Sequence, residues 1–279
     1  MTEARGAEPV RRRDRRPSPP ATPLSEAPVA WWAPAVLPGR WTPLCLALIA
    51  ALLVAHLAVN ALQATMGDFP GRDPAIQFLA LNKEMGLPAW TSSVLLVLVA
   101  QALWLLADVD RTTHRRRWAR QERLLAGLFV YLSVDEATAL HEQTIYPLRT
   151  ALDLGGALFF SWVVLFVPLA AVVAALCLRW VRGLPRVAGR LVVLAGVLYL
   201  GGAVGMEMVG SWMFTQGLEG TMRYAGVVAL EEGLEMLGAL LMLSVVTWLR
   251  LPRAQEQPGS APAAATPVEV TSGTSALRS

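Results

Sequence analysis

Seven carboxylates stand where the sequence is most apolar. Asp135, Glu136 and Glu142 fall in one apolar stretch, Glu207 in a second, and Glu231, Glu232 and Glu235 in a third. No Lys or Arg lies at comparable depth in any of them. A charge at mid-bilayer costs about 2.5–3.5 kcal/mol on insertion scales, and basic partners that would offset it are missing here. Two chemical solutions remain: the carboxyls hold protons, or a bound cation gathers them. His141 stands inside the run Asp135-Glu136-Ala137-Thr138-Ala139-Leu140-His141-Glu142 and reads as a ligand or proton relay. His56, in the first apolar run, is a possible additional ligand. His114 sits in an Arg-rich loop and reads as solvated.

Carboxylates with one or two imidazoles form a hard, oxygen-rich donor set. It favours iron or manganese, with zinc or copper as lesser options. The expected metal set is Asp135, Glu136, His141, Glu142, Glu207, Glu231, Glu232 and Glu235. Di-iron bundles combine single Glu residues with Glu-x-x-His pairs. This chain offers Glu232-x-x-Glu235 and no Glu-x-x-His, so the likeness to that logic is partial. Met206, Met208 and Met236 border the acids and read as packing. A metal centre here, dinuclear in one version, would act on a lipid-like or quinone-like substrate. The alternative is a proton- or cation-coupled transporter or channel using the same acids. The third reading is structural, with protonated acids bonding helix to helix. Ser133, Ser161 and Ser211 lack a strained elbow motif or an adjacent base, and no catalytic residue or nucleotide cofactor is assigned.

Elements that could position these groups are membrane helices. The 279 residues are 54% hydrophobic and only 16% charged, where soluble domains carry about a quarter charged residues. Six stretches are long enough for about 20 residues of span each. They run from Thr42 to Leu62, Trp90 to Ala107, Leu124 to Glu142, Leu158 to Leu178, Leu191 to Phe214 and Tyr224 to Leu249. The fold class is therefore an all-α polytopic transmembrane bundle. It occupies residues 41–250, between a basic tail (1–40) and a polar tail (251–279), both expected to be disordered. Pro74 to Trp90 reads as a short interfacial helix or an ordered loop. At 1.5 Å per residue, the acids lie about 18 to 27 Å from the basic-loop ends of their spans, in one layer. Asp135 and Glu142, seven apart, share a face of the third span. Glycines on the fifth and sixth spans permit close approach.

Six spans place both tails on one side. That side holds 20 of the 24 Lys and Arg, leaving Arg72, Lys83, Arg149 and Arg223 opposite. Such a bias puts both termini in the cytoplasm of a cell with the chain in its inner membrane. The runs Arg11 to Arg16 and Arg115 to Arg117 follow from topology and anionic lipid, so no nucleic-acid partner is expected. Cys45 and Cys177 fall at the reducing side and show no finger spacing.

Three strings carry a family resemblance: Ser133 to Glu142, Gly205-Met206-Glu207-Met208-Val209-Gly210, and Glu231-Glu232-Gly233-Leu234-Glu235-Met236-Leu237-Gly238. With the stretch Asn82 to Ser93, they resemble a group of uncharacterised bacterial polytopic membrane proteins, over about residues 42–250. The resemblance implies the architecture and the motif positions, and no activity.

Overall fold

The computed structural model describes residues 41–255, with side chains as far as Arg250. The two expected tails lie outside the described residues, apart from a last helical turn at 251–255. All regular structure among the described residues is helical. In chain order the helices are α1 (Trp41–Met66), α2 (Arg72–Leu79), α3 (Leu87–Thr112), α4 (Ala119–Thr138), α5 (Ile145–Leu152), α6 (Val163–Arg182), α7 (Arg186–Leu200), α8 (Glu207–Thr215) and α9 (Met222–Gln255). A π-helical segment, Gly201–Met206, joins α7 to α8.

Four helical segments are long and apolar enough to cross a membrane: Trp41–Met66, Leu87–Thr112, Val163–Arg182 and Arg186–Thr215. The pair Arg116–Thr138 and His141–Leu152 adds a fifth if it counts as one span, bent by 78°. These account for four or five of the six expected spans. The stretch expected as the sixth lies on α9, a 34-residue helix that carries Glu231, Glu232 and Glu235 and is not among these segments. Only 17% of the apolar window of α6 is buried within the protein, against 50% for α3. A soluble surface does not leave so much apolar area uncovered. The chain is a membrane protein by this measure.

Burial follows from where each helix sits. The long α9 packs against α7, α3 and α1. Leu96, Leu103 and Leu106 of α3 meet the same core as Met236, Val245 and Val246 of α9. Glycine makes the α7–α9 contact possible. A Cβ on Gly238 would stand 2.7 Å from the Tyr199 nitrogen and 2.8 Å from the Ala195 oxygen, both backbone atoms that cannot swing aside.

Helices α3 and α4 form a hairpin whose turn is tied to the α6–α7 turn. Trp180 Nε1 donates to Glu122 Oε1 at 3.0 Å, and both side chains are fully buried. Arg115 donates to the Gly183 carbonyl at 3.0 Å, and Arg123 to Asp108 Oδ1 at 3.0 Å. Farther along the same hairpin, the hydroxyls of Ser93 and Ser133 stand 2.9 Å apart, and each also meets the other residue's carbonyl at 2.9 Å. These contacts fix the register of α3 against α4 two residues before Asp135.

The connection between the first two spans differs from expectation. Its helix is α2, which starts earlier and is shorter than the stretch from Pro74 to Trp90. Gly71, in the left-handed region at φ 83°, turns the chain into α2. Gly86 then begins α3, with a proline in its first turn, so Leu87 already belongs to the next span.

Replacing Gly238 by Ala forces an overpacked backbone contact and is expected to cost about 1–3 kcal/mol. Gly226→Ala is the control, because a Cβ there meets nothing within 4 Å. Thermal unfolding in detergent should show a clear fall in Tm for Gly238→Ala and none for Gly226→Ala.

Candidate functional site

Helix α4 stops at Thr138, and the stop shapes the site. Ala139 takes a left-handed conformation, φ 48°, and its N–H bonds the Asp135 carbonyl at 2.7 Å. The Asp135 carboxylate then holds the turn. Its Oδ1 accepts the His141 backbone N–H at 2.8 Å, and its Oδ2 lies 2.9 Å from His141 Nδ1. A short aspartate side chain bonding nearby backbone in this way competes with helix continuation. The unbroken third span to Glu142, with Asp135 and Glu142 on one face, is therefore corrected. Asp135 is buried, while Glu142 sits exposed in the turn His141–Thr144.

Three helices bring the other acids together. Glu136 comes from α4, Glu207 from the first turn of α8, and Glu231, Glu232 and Glu235 from α9. Glu232 faces Glu136 and Glu207. Glu235 lies within electrostatic reach of Glu232, Glu136, Glu207 and Asp135. The side chains of Glu207 and Glu231 are close neighbours. Gly202, in the π segment, is what lets α9 come so near. A Cβ there would stand 2.5 Å from the Glu231 carbonyl oxygen and 2.8 Å from Glu235 Cγ. The π segment ends immediately before Glu207, and such segments recur at functional sites in helices.

A wall from α6 closes one flank. Trp162 Nε1 donates to Glu207 Oε1 at 2.9 Å. The same indole packs on the His141 ring, centroids 4.9 Å apart. The preceding loop is pinned by Ser211, whose hydroxyl donates to the Gly156 carbonyl and accepts from the Phe160 N–H, each at 3.0 Å. Ser161 donates to the Ile145 carbonyl at 2.7 Å. These two serines thus have structural partners.

At the rim, the exposed Glu142 lies beside the exposed Glu84. Glu84 also lies within electrostatic reach of Glu136. The acids therefore run from an exposed pair at the rim to the interior. At the inner end, a cavity of about 10 Å³ is lined by Ser92, Glu136, Tyr199 and Glu235 among others. That is about the space one water needs. The buried Ser92 hydroxyl has no hydrogen-bond partner among the protein atoms.

His56 is spent elsewhere. Its Nδ1 accepts the Leu81 N–H at 3.0 Å, and its Nε2 lies 3.1 Å from the Ala225 carbonyl. Both ring nitrogens serve to tie α1 to the α2–α3 loop and to the start of α9. Sequence reasoning passed over Glu84, Ser92, Trp162 and Tyr199. Glu84 and Ser92 lie in the stretch Asn82 to Ser93 that carried part of the family resemblance, so a signal for them existed. Trp162 and Tyr199 sit in apolar runs and carry none.

The expected metal set fits poorly. No group of three or more His, Cys, Asp or Glu among the described residues is arranged to hold a metal ion. The break after Thr138 removes His141 and Glu142 from the helix that was to present them, and Asp135 is engaged by its own turn.

The Asp135 clamp has a measurable worth. Asp135→Ala removes both bonds to His141 and should lower stability by about 1–3 kcal/mol. Asp135→Asn keeps an acceptor for the His141 N–H and should lose less. The order of Tm values in detergent checks this.

A family model described as a domain of unknown function (DUF8692) matches residues 45–249. No curated protein matches the chain. No solved structure matches it either.

Proposed function

Since the chain belongs to the DUF8692 family, whose description carries no activity, we propose its function from the site: a proton-coupled membrane transporter whose acid layer takes up and passes protons. In this reading α9 and the bent pair complete six spans. Both termini face the cytoplasm of a cell whose inner membrane holds the chain. The layer of acids opens at its rim to the opposite side.

The observation that carries the reading is a row of acids drawn from several elements with no Lys or Arg among them. Glu84 neighbours Glu142 at the exposed rim, and Glu207 neighbours Glu231 in the interior. Between them stand Glu136 and Glu232, each facing acids of the next helix. Intramembrane ionisable residues of this kind mark proton relays and substrate pathways in pumps and transporters. Trp162 holds Glu207 in place from outside the acid row, and Asp135 does the same for His141.

Full-length protein in liposomes carrying an internal pH dye tests this. A pH gradient should drive proton uptake, and Glu207→Gln should return it to the rate of protein-free liposomes. Glu219→Gln, outside the acid layer, should keep the wild-type rate. No uptake under any gradient, or uptake indifferent to Glu207, would sink the transporter reading. Stoichiometric iron or manganese in the purified protein would overturn it in favour of a metal centre acting on a lipid-like or quinone-like substrate.

A further inference from the structure

A second polar feature lies at the opposite end of the bundle, remote from the acid layer. A groove of about 370 Å³ opens where α6 turns into α7. Arg182, Arg186 and Arg190 line it, with Val181, Leu184 and Val193. We propose that this groove binds the phosphate head group of an anionic phospholipid, with the acyl chains running along α7. The inference is independent of the transport reading.

The arginines of the groove differ from those that meet an aspartate. Arg72 pairs with Asp68 and Asp73, Arg111 and Arg123 with Asp108, and Arg115 with Asp110. Arg182, Arg186 and Arg190 are exposed and form none of the ion pairs found among the described residues. Three guanidiniums therefore converge on one groove without a carboxylate. Planar guanidinium forks match phosphate oxygens in pairs.

The helix below them supplies the other half of a lipid's chemistry. Arg186 and Arg190 are four apart and share a face of α7. Val193 and Val197 continue that face and are 53% and 60% exposed. Cation thus gives way to uncovered apolar surface about 10 Å down one helix stripe, as a phospholipid changes from head group to chain. The groove floor is shaped by a close approach. A Cβ on Gly189 would stand 3.0 Å from the Val181 carbonyl oxygen, so α6 and α7 meet tightly beneath the arginines. Basic pockets between membrane helices at the positive side are known to take anionic head groups.

Native mass spectrometry of the full-length protein, released from detergent after exposure to phosphatidylglycerol or phosphatidylcholine, tests the site. Wild type should retain phosphatidylglycerol preferentially. Arg186→Gln with Arg190→Gln should weaken that retention about 30-fold, the value of two interfacial cations. The charge-preserving pair Arg186→Lys with Arg190→Lys should keep most of the preference. It also keeps the test valid if the Gln pair folds poorly. Equal retention of both lipids by wild type would overturn the site, as would retention unchanged in a folded Gln pair. Displacement of phosphatidylglycerol by millimolar inorganic phosphate would show that the groove reads free phosphate instead.

Discussion

Everything near the acid layer answers to one constraint: carboxyl groups held within a membrane bundle, with no basic side chain to meet them. In hydrocarbon an unsatisfied polar group has no water to turn to. The groups must therefore satisfy one another, and that demands short distances between helices. Gly202 allows α9 to press against the π segment, and Gly238 allows it to press against α7. The serine pair between α3 and α4 holds Glu136 at the right height. Trp162 reaches in from α6 to occupy an oxygen of Glu207. Small residues, a hydroxyl clasp and one indole together do what a lysine or arginine would otherwise do.

The same constraint separates two kinds of polar contact in the bundle. At the basic end, Asp108 pairs with Arg123, and Glu122 accepts from the neutral Trp180 indole. These contacts fasten turn to turn. In the acid layer the neighbours are mostly other acids, with the Trp162 indole on Glu207 and His141 on Asp135 at its flank.

Much of this was legible in the residues. Acids on three apolar stretches pointed to a shared layer, and Glu136, Glu207, Glu231, Glu232 and Glu235 lie within electrostatic reach of one another. The length of the apolar runs also placed α1, α3 and α6 to within about five residues at each end. The break after Thr138 was not legible, because Ala139 is an ordinary helix former. Its left-handed turn is imposed by what Asp135 bonds two residues farther on. His56 was placed at a plausible depth, yet its partners are the backbone groups of Leu81 and Ala225. Side-chain patterns carry no record of such partners. Glu84 was hidden for the opposite reason: an acid in a polar loop looks like every other loop acid until the fold lays it against Glu142.

The π segment joining α7 to α8 has a mechanical meaning. In an unbroken α-helix each residue turns about 100°, so the direction of Arg186 would dictate the direction of Glu207. The wider turns at Gly201–Met206 break that gearing. The outward stripe of α7 and the inward face of α8 can each be set to its own surroundings. The six residues of the wide turn thus let one continuous span present arginines to one environment and Glu207 to another.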